Sequence, residues 1–220
     1  MIKACILDMD GVIVDTEGIH IEAFRQFLQE HSIQYSEEFL RGLIGYSIED
    51  NITDIKKRFP DEMKMSTAAA VKRRNDMYLT LLSQHNLQPQ PSLLELIDYC
   101  KNHTIKLALA SSSEFRQVDI IMKKVAGDYE AIFDAIITGD DVIQKKPAPD
   151  IYKKTVEKLA VPAHSCIAFE DSSAGIQSAK AAGIICVAVR SQFTTASDLQ
   201  NADRIVDSLH EPVINNFWES

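Results

Sequence analysis

Carboxylates, small hydroxyls and a lysine recur at four places in this chain, each time after a short apolar run. Asp8-Met9-Asp10-Gly11 follows the run Ala4 to Leu7, and Ser111-Ser112-Ser113 follows Ile105 to Ala110. Gly139-Asp140-Asp141 and then Lys145-Lys146-Pro147 follow Ala135 to Thr138, while Glu170-Asp171-Ser172-Ser173 follows Cys166 to Phe169. Four carboxylates drawn together repel and raise one another's pKa values unless a cation compensates. An acid-rich oxygen set without His or Cys suits Mg²⁺, which commonly takes one or two carboxylates and leaves room for phosphate oxygens. With a lysine and a hydroxyl alongside, the chemistry that fits is phosphoryl transfer. Cations balance the phosphoryl charge, the hydroxyl donates to its oxygens, and a carboxylate attacks phosphorus. Asp8 and Asp10 would share a face if the strand ran on, so a turn at Gly11 is needed to give them different roles.

Taken singly, each signal has a plain structural reading. Asp-x-Asp often finishes a strand, a serine run caps a helix, and Pro147 only biases Lys146 toward an extended backbone. Asp171-Ser172-Ser173 can serve as a cap for the next helix. Coincidence is a poor explanation for all of them together, in this order and each at a strand end.

The elements that must position these residues are legible in the same way. The five apolar runs, the fifth being Ile184 to Val189, are rich in Ile, Val, Leu and Ala and do not alternate, as in parallel strands covered on both faces. Helical stretches lie between them. Pro91-Ser92 opens one, Pro149 stands near the start of another, and Gly183 closes the one through Ala174 to Ala182. This alternation predicts an α/β fold with a doubly wound, Rossmann-like parallel sheet, whose ligands bind beyond the carboxyl ends of the strands. The stretch from Thr16 to about Gln84 has no strand pattern but several amphipathic ones, such as Ile21, Phe24, Phe27, Leu28 and Val71, Met77, Tyr78, Leu81, Leu82. The expected organisation is therefore an α/β core made of residues 1–15 and 86–220, with an all-helical insert of residues 16–85 after strand 1.

Composition excludes other classes. The chain has 220 residues, 45% hydrophobic and 25% charged, the range of a globular protein rather than a disordered one. Its net charge of −9 argues against a nucleic-acid partner. The basic clusters Lys56-Lys57-Arg58, Lys72-Arg73-Arg74 and Lys153-Lys154 read as solvated helix faces. No run is long and apolar enough to span a membrane, and the N-terminus lacks a signal-peptide layout. Cys5, Cys100, Cys166 and Cys186 are widely spaced, which reads as buried reduced thiols and a cytoplasmic location.

These motifs resemble the haloacid dehalogenase superfamily, in its branch with a helical cap inserted after strand 1. Asp8 to Thr16 is similar to the family's first motif, Ser111 to the second, Lys146 in Lys146-Pro147-Ala148-Pro149-Asp150-Ile151-Tyr152 to the third, and Glu170 to Gly175 to the fourth. The resemblance implies that Asp8 is the nucleophile and Asp10 the general acid/base. It implies Mg²⁺ held by Asp8, the Asp10 backbone carbonyl and Asp171, with Glu170 as a further acidic contact. Ser111, its neighbour Ser112 and Lys146 would grip the phosphoryl oxygens, and His20, Gly45, Ser47 and Arg74 are candidate substrate contacts on the cap. The implied function is Mg²⁺-dependent hydrolysis of a small phosphomonoester, a sugar phosphate or similar metabolite, through an aspartyl-phosphate, in a monomer or weak dimer.

The β-phosphoglucomutase-like members of the branch are similar at Thr16, His20 and the runs Lys146 to Tyr152 and Glu170 to Gly183, so a phosphosugar mutase is the alternative. Such mutases grip a distal phosphate with a cap arginine and a Lys-Asn pair. The matching positions here are Ile48 and Glu114-Phe115, which offer no such donors. Hydrolysis needs only one phosphate site. A receiver-type signalling protein that merely accepts a phosphoryl group is the alternative from another class. It would be shorter, would lack the helical insert, and would carry its acceptor on a later strand.

Overall fold

The computed structural model describes residues 1–43 and 46–209 and joins six strands among them into one parallel sheet. These are β1 (Ala4–Leu7), β2 (Lys106–Ala110), β3 (Ala135–Ile137), β4 (Cys166–Glu170), β5 (Ile185–Val189) and β6 (Arg204–Val206), in the order β3-β2-β1-β4-β5-β6. In register, Leu7 lies opposite Leu109 on one side and Phe169 on the other, so the ends of β1, β2 and β4 finish level. The order reverses direction at β1, and ligand sites of open α/β sheets lie at such a switch point. This is the doubly wound, Rossmann-like arrangement. The edge strand β6 is an addition to the five strands legible in the sequence.

The chain forms two compact units, one made of Met1–Asp15 and the chain from Leu87 on, the other of Thr16–Asn86. The second unit holds only helices among its described elements: α1 (Glu17–Glu30), α2 (Glu37–Arg41), α3 (Ile48–Arg58) and α4 (Thr67–Gln84). Ser36, Ser47 and Ser66 cap α2, α3 and α4, each hydroxyl oxygen accepting from the backbone N–H three residues on. Phe24, Phe27, Leu28, Leu40, Ile52, Ile55 and Met77 form its core, with Ile48 packed at the edge.

In the sheet unit, α5 (Leu93–Asn102) packs on β2, and α6 (Phe115–Ala126) leads from β2 toward β3. On one face, Ile6, Ala108, Ile137, Ala168 and Ala188 form a core with α7 (Asp150–Leu159), α8 (Ser173–Ala181) and α9 (Ala196–Leu199). The opposite face, carrying Cys5, Leu7, Leu107, Leu109 and Phe169, is buried too. All four cysteines are buried free thiols.

One expectation is overturned here. Lys72-Arg73-Arg74 is not wholly a solvated face, because Arg74 is fully buried in the helical unit. It stands four residues after Ala70 and four before Tyr78, both buried, and so shares the apolar stripe of α4.

Candidate active site

β1 ends at Leu7, so Asp8 and Asp10 both stand in the loop beyond it. The loop doubles back at once: Ile13 N–H donates to the Met9 carbonyl and Gly11 N–H to that of Val14. Gly11 makes this possible with φ +79°, and a Cβ there would lie 1.9 Å from Asp171 Oδ2. The first loop and the end of β4 are thus pressed together, and only glycine fits between them.

Lys146 ties three strand ends to one point. Its Nζ donates to Asp8 Oδ1 at 2.5 Å, to Glu170 Oε1 at 2.5 Å and to the Ala110 carbonyl at 3.1 Å. An ammonium has three donors, and all are engaged. Glu170 has no exposed surface; its Oε1 also accepts from Tyr152 Oη at 2.6 Å, and its Oε2 from Ser172 Oγ at 3.3 Å. Ser172 in turn caps α8, accepting from Gly175 N–H at 3.0 Å. Asp8, Glu170 and Asp171 each offer a carboxylate oxygen within 4.8 Å of the others.

The hydroxyl loop after β2 completes the site. Ser111 is buried directly beyond Ala110, and its Oγ accepts from Ser113 N–H at 3.1 Å. Ser113 Oγ donates to Asp10 Oδ2 at 3.2 Å. The Ser112 hydroxyl is buried with no hydrogen-bond partner among the described residues. Gly139 lets the loops after β2 and β3 close up, since a Cβ there would meet the Ser112 carbonyl oxygen at 2.3 Å.

Burial pushes the Asp8 carboxyl up to about 8; Lys146 opposes the rise, while Glu170 and Asp10 add repulsion. Burial also opposes the charge on Lys146, but Asp8 and Glu170 outweigh it and hold the ammonium well above the ordinary lysine value. Burial, with repulsion from Glu170, keeps Tyr152 a neutral phenol. One lysine among Asp8, Asp10, Glu170 and Asp171 leaves negative charge in excess. An oxygen-only acidic set with that excess and spacing fits a small divalent cation such as Mg²⁺.

Asp8, Asp10, Ser111, Ser112, Lys146, Glu170 and Asp171 therefore all belong to one edge of the sheet. The cap candidates lie in the helical unit. Ser47 caps α3 and hydrogen-bonds Asp50, and Gly45 lies outside the described residues. His20 and Arg74 do meet: Arg74 Nη2 donates to His20 Nδ1 at 2.7 Å and to its carbonyl at 3.0 Å. Packing around the imidazole and the Arg74 charge hold the His20 pKa well below its ordinary value. Two participants escaped the sequence reading, Tyr152 and Ser113. Both stand inside motifs already quoted, but their partners are on other strands.

A Rossmann-like parallel sheet with acids, a lysine and serines at the carboxyl edge around its switch point defines an enzyme of the phosphoryl-transfer type. The haloacid dehalogenase-like hydrolase family model matches residues 5–189, and the chain belongs to that family. It is 34% identical to the protein CbbY of Rhodobacter capsulatus, over 94% of this chain and 93% of that one. It is 33% identical to a phosphorylated carbohydrates phosphatase of Thermotoga maritima, over 83% and 82% of the two chains. To β-phosphoglucomutase of Bacillus subtilis it is also 33% identical, over 95% and 94%. A solved structure of a mutant CbbY from Rhodobacter sphaeroides, in complex with xylulose-(1,5)bisphosphate, superposes with a TM-score of 0.85 at 28% identity, covering 96% of each chain.

Proposed function

We propose that this protein is a Mg²⁺-dependent phosphatase that hydrolyses a small sugar phosphate through an aspartyl-phosphate on Asp8. The observation that carries this reading is the convergence of Asp8, Lys146, Glu170 and Asp171 at one point, with Ser111 and the Asp10–Ser113 pair alongside. A carboxylate oxygen of Asp8 attacks phosphorus and the bond to the sugar oxygen breaks. Asp10, protonated, gives its proton to the leaving alkoxide. Asp10 then takes a proton from water, whose oxygen attacks phosphorus and breaks the bond to Asp8. The sum is phosphomonoester plus water giving alcohol plus phosphate. Lys146 exchanges its Asp8 contact for a phosphoryl oxygen, and Ser111 and Ser112 supply hydroxyl donors. Asp8, Asp171 and the Asp10 carbonyl would hold Mg²⁺, which when bound neutralises phosphoryl charge.

The similarity to a phosphorylated carbohydrates phosphatase, and to a CbbY whose mutant is seen in complex with xylulose-(1,5)bisphosphate, supports a sugar phosphate as substrate. Likeness to a mutase leaves phosphate transfer back to a sugar as the competing reading. Against it, Ile48 packs at the edge of the apolar core of the helical unit, and neither it nor Phe115 offers a side-chain donor. Both readings are tested together by measuring phosphate release from sugar monophosphates beside glucose 6-phosphate formation from β-glucose 1-phosphate with a bisphosphate primer. Release of phosphate with little isomerisation supports the phosphatase. Isomerisation that outruns release by orders of magnitude rejects it.

A further inference from the structure

We propose that Tyr152 is a positioning residue for Lys146, acting through Glu170. The inference rests on the phosphatase reading for its setting and goes beyond it in assigning these two residues. Lysine has a flexible four-carbon stem, so the place of its ammonium is decided by the partners at its tip. Asp8 is one of three partners here, and it is the one that must turn to phosphorus. During transfer Lys146 keeps only Glu170 and the Ala110 carbonyl from its present set.

Glu170 is built to stay still. Tyr152 Oη at 2.6 Å and Lys146 Nζ at 2.5 Å share its Oε1, and Ser172 Oγ approaches Oε2 at 3.3 Å. The backbone of α8 closes the remaining side, where a Cβ on Gly175 would fall 1.9 Å from Oε2. Tyr152 also presents its ring to the lysine, with Nζ 5.2 Å from the ring centroid. The fully buried Tyr152 thus holds the ammonium twice, by its ring directly and by its hydroxyl through Glu170.

Tyr152→Phe removes the hydroxyl and keeps the ring. Turnover of p-nitrophenyl phosphate is measured in the full protein with orthophosphate as inhibitor and with Mg²⁺ titrated. The expected result is a rise of about tenfold in the orthophosphate inhibition constant, the scale of one hydrogen bond to a charged group. The half-saturating Mg²⁺ concentration stays unchanged. Glu170→Gln gives a larger loss of phosphate affinity. An unchanged inhibition constant in Tyr152→Phe overturns the proposal, as does a Mg²⁺ requirement that rises in step in that variant. A lowered melting temperature without separation of the two constants marks a merely structural tyrosine and also overturns it. Calorimetric binding of orthophosphate needs no turnover. If the wild type binds orthophosphate without hydrolysing the ester, and Tyr152→Phe weakens that binding, the phosphatase reading fails and this one stands. If the wild type hydrolyses the ester and the variant binds orthophosphate equally well, only this inference fails. A wild type that binds no orthophosphate rejects both.

Discussion

Ser113 Oγ donates a 3.2 Å hydrogen bond to Asp10 Oδ2, joining the loop after β2 to the loop after β1. In the proposed mechanism, the acid that gives and then takes a proton is therefore held by a hydroxyl from another loop. Ser113→Ala is expected to lower kcat by roughly 3- to 10-fold with little change in KM, since the bond orients Asp10 rather than the phosphate. Steady-state kinetics on p-nitrophenyl phosphate reads this directly. A rise in KM at constant kcat would place Ser113 on the substrate instead.

Asp8 supplies a pH test that needs no substrate. Burial raises its carboxyl to about 8 from its ordinary value of 3.8. Between those values the folded state keeps a proton that the unfolded state has released, so this group's contribution to stability falls as pH rises. Asp8→Asn abolishes that slope. In EDTA, the melting temperature of the variant relative to wild type should climb from about pH 5 to about pH 8.5, and the same variant should release no phosphate. A difference that stays flat with pH contradicts the charge assignment.

The acidic set predicts the metal behaviour. Chelation should abolish activity, Mg²⁺ should restore it, and Zn²⁺ should not be required. Asp171→Asn should raise the half-saturating Mg²⁺ concentration by more than about 100-fold, beyond the cost of losing an outer-sphere partner. Full activity in chelator, with metal shown absent by elemental analysis, would reject the cation.

Arg74 is expected to matter for the stability of the helical unit. Its guanidinium lies 4.4 Å from the Phe24 ring centroid and 5.1 Å from that of Tyr78, and it donates to His20. Arg74→Ala should cost about 2–4 kcal/mol, the loss of a buried stem together with cation–π contacts. Arg74→Lys should recover only part, because a point charge cannot span both rings and His20 at once. Urea unfolding measures both, and a loss below about 0.5 kcal/mol, the range of surface substitutions, would contradict the packing role.

Much of the fold was legible because buried parallel strands write themselves as unbroken apolar runs. β1, β2, β4 and β5 are such runs, and the acids, serines and lysine that follow them fall together for that reason. β6 escaped because a three-residue edge strand, Arg204-Ile205-Val206, is only partly buried and opens on a charge. Arg74 was misread by its neighbours in sequence. Lys72 and Arg73 do face solvent, whereas helical spacing from Ala70 and to Met77 and Tyr78 places Arg74 on the apolar stripe. The bonds of Tyr152 to Glu170 and of Ser113 to Asp10 cross between elements far apart in the chain, and no local pattern encodes such partners.

The placement of β1 has a consequence for how the molecule is made. Ala4 pairs with Lys106 and with Cys166, and the whole helical unit lies between β1 and its nearer partner in sequence. During synthesis the central strand leaves the ribosome before either partner strand and has no neighbour in the sheet until α1 to α4 have followed it. Those helices form one contiguous segment and close their contacts within it, α1 against α4 above all, so they are placed to fold early, while the sheet waits on pairing over still longer stretches of chain. Ala4–Leu7, wholly buried in the finished protein, is an apolar segment that nascent-chain chaperones would have to shield for the longest time. The strand that delivers Asp8 is made before the strands that cover it and is among the last to find its place.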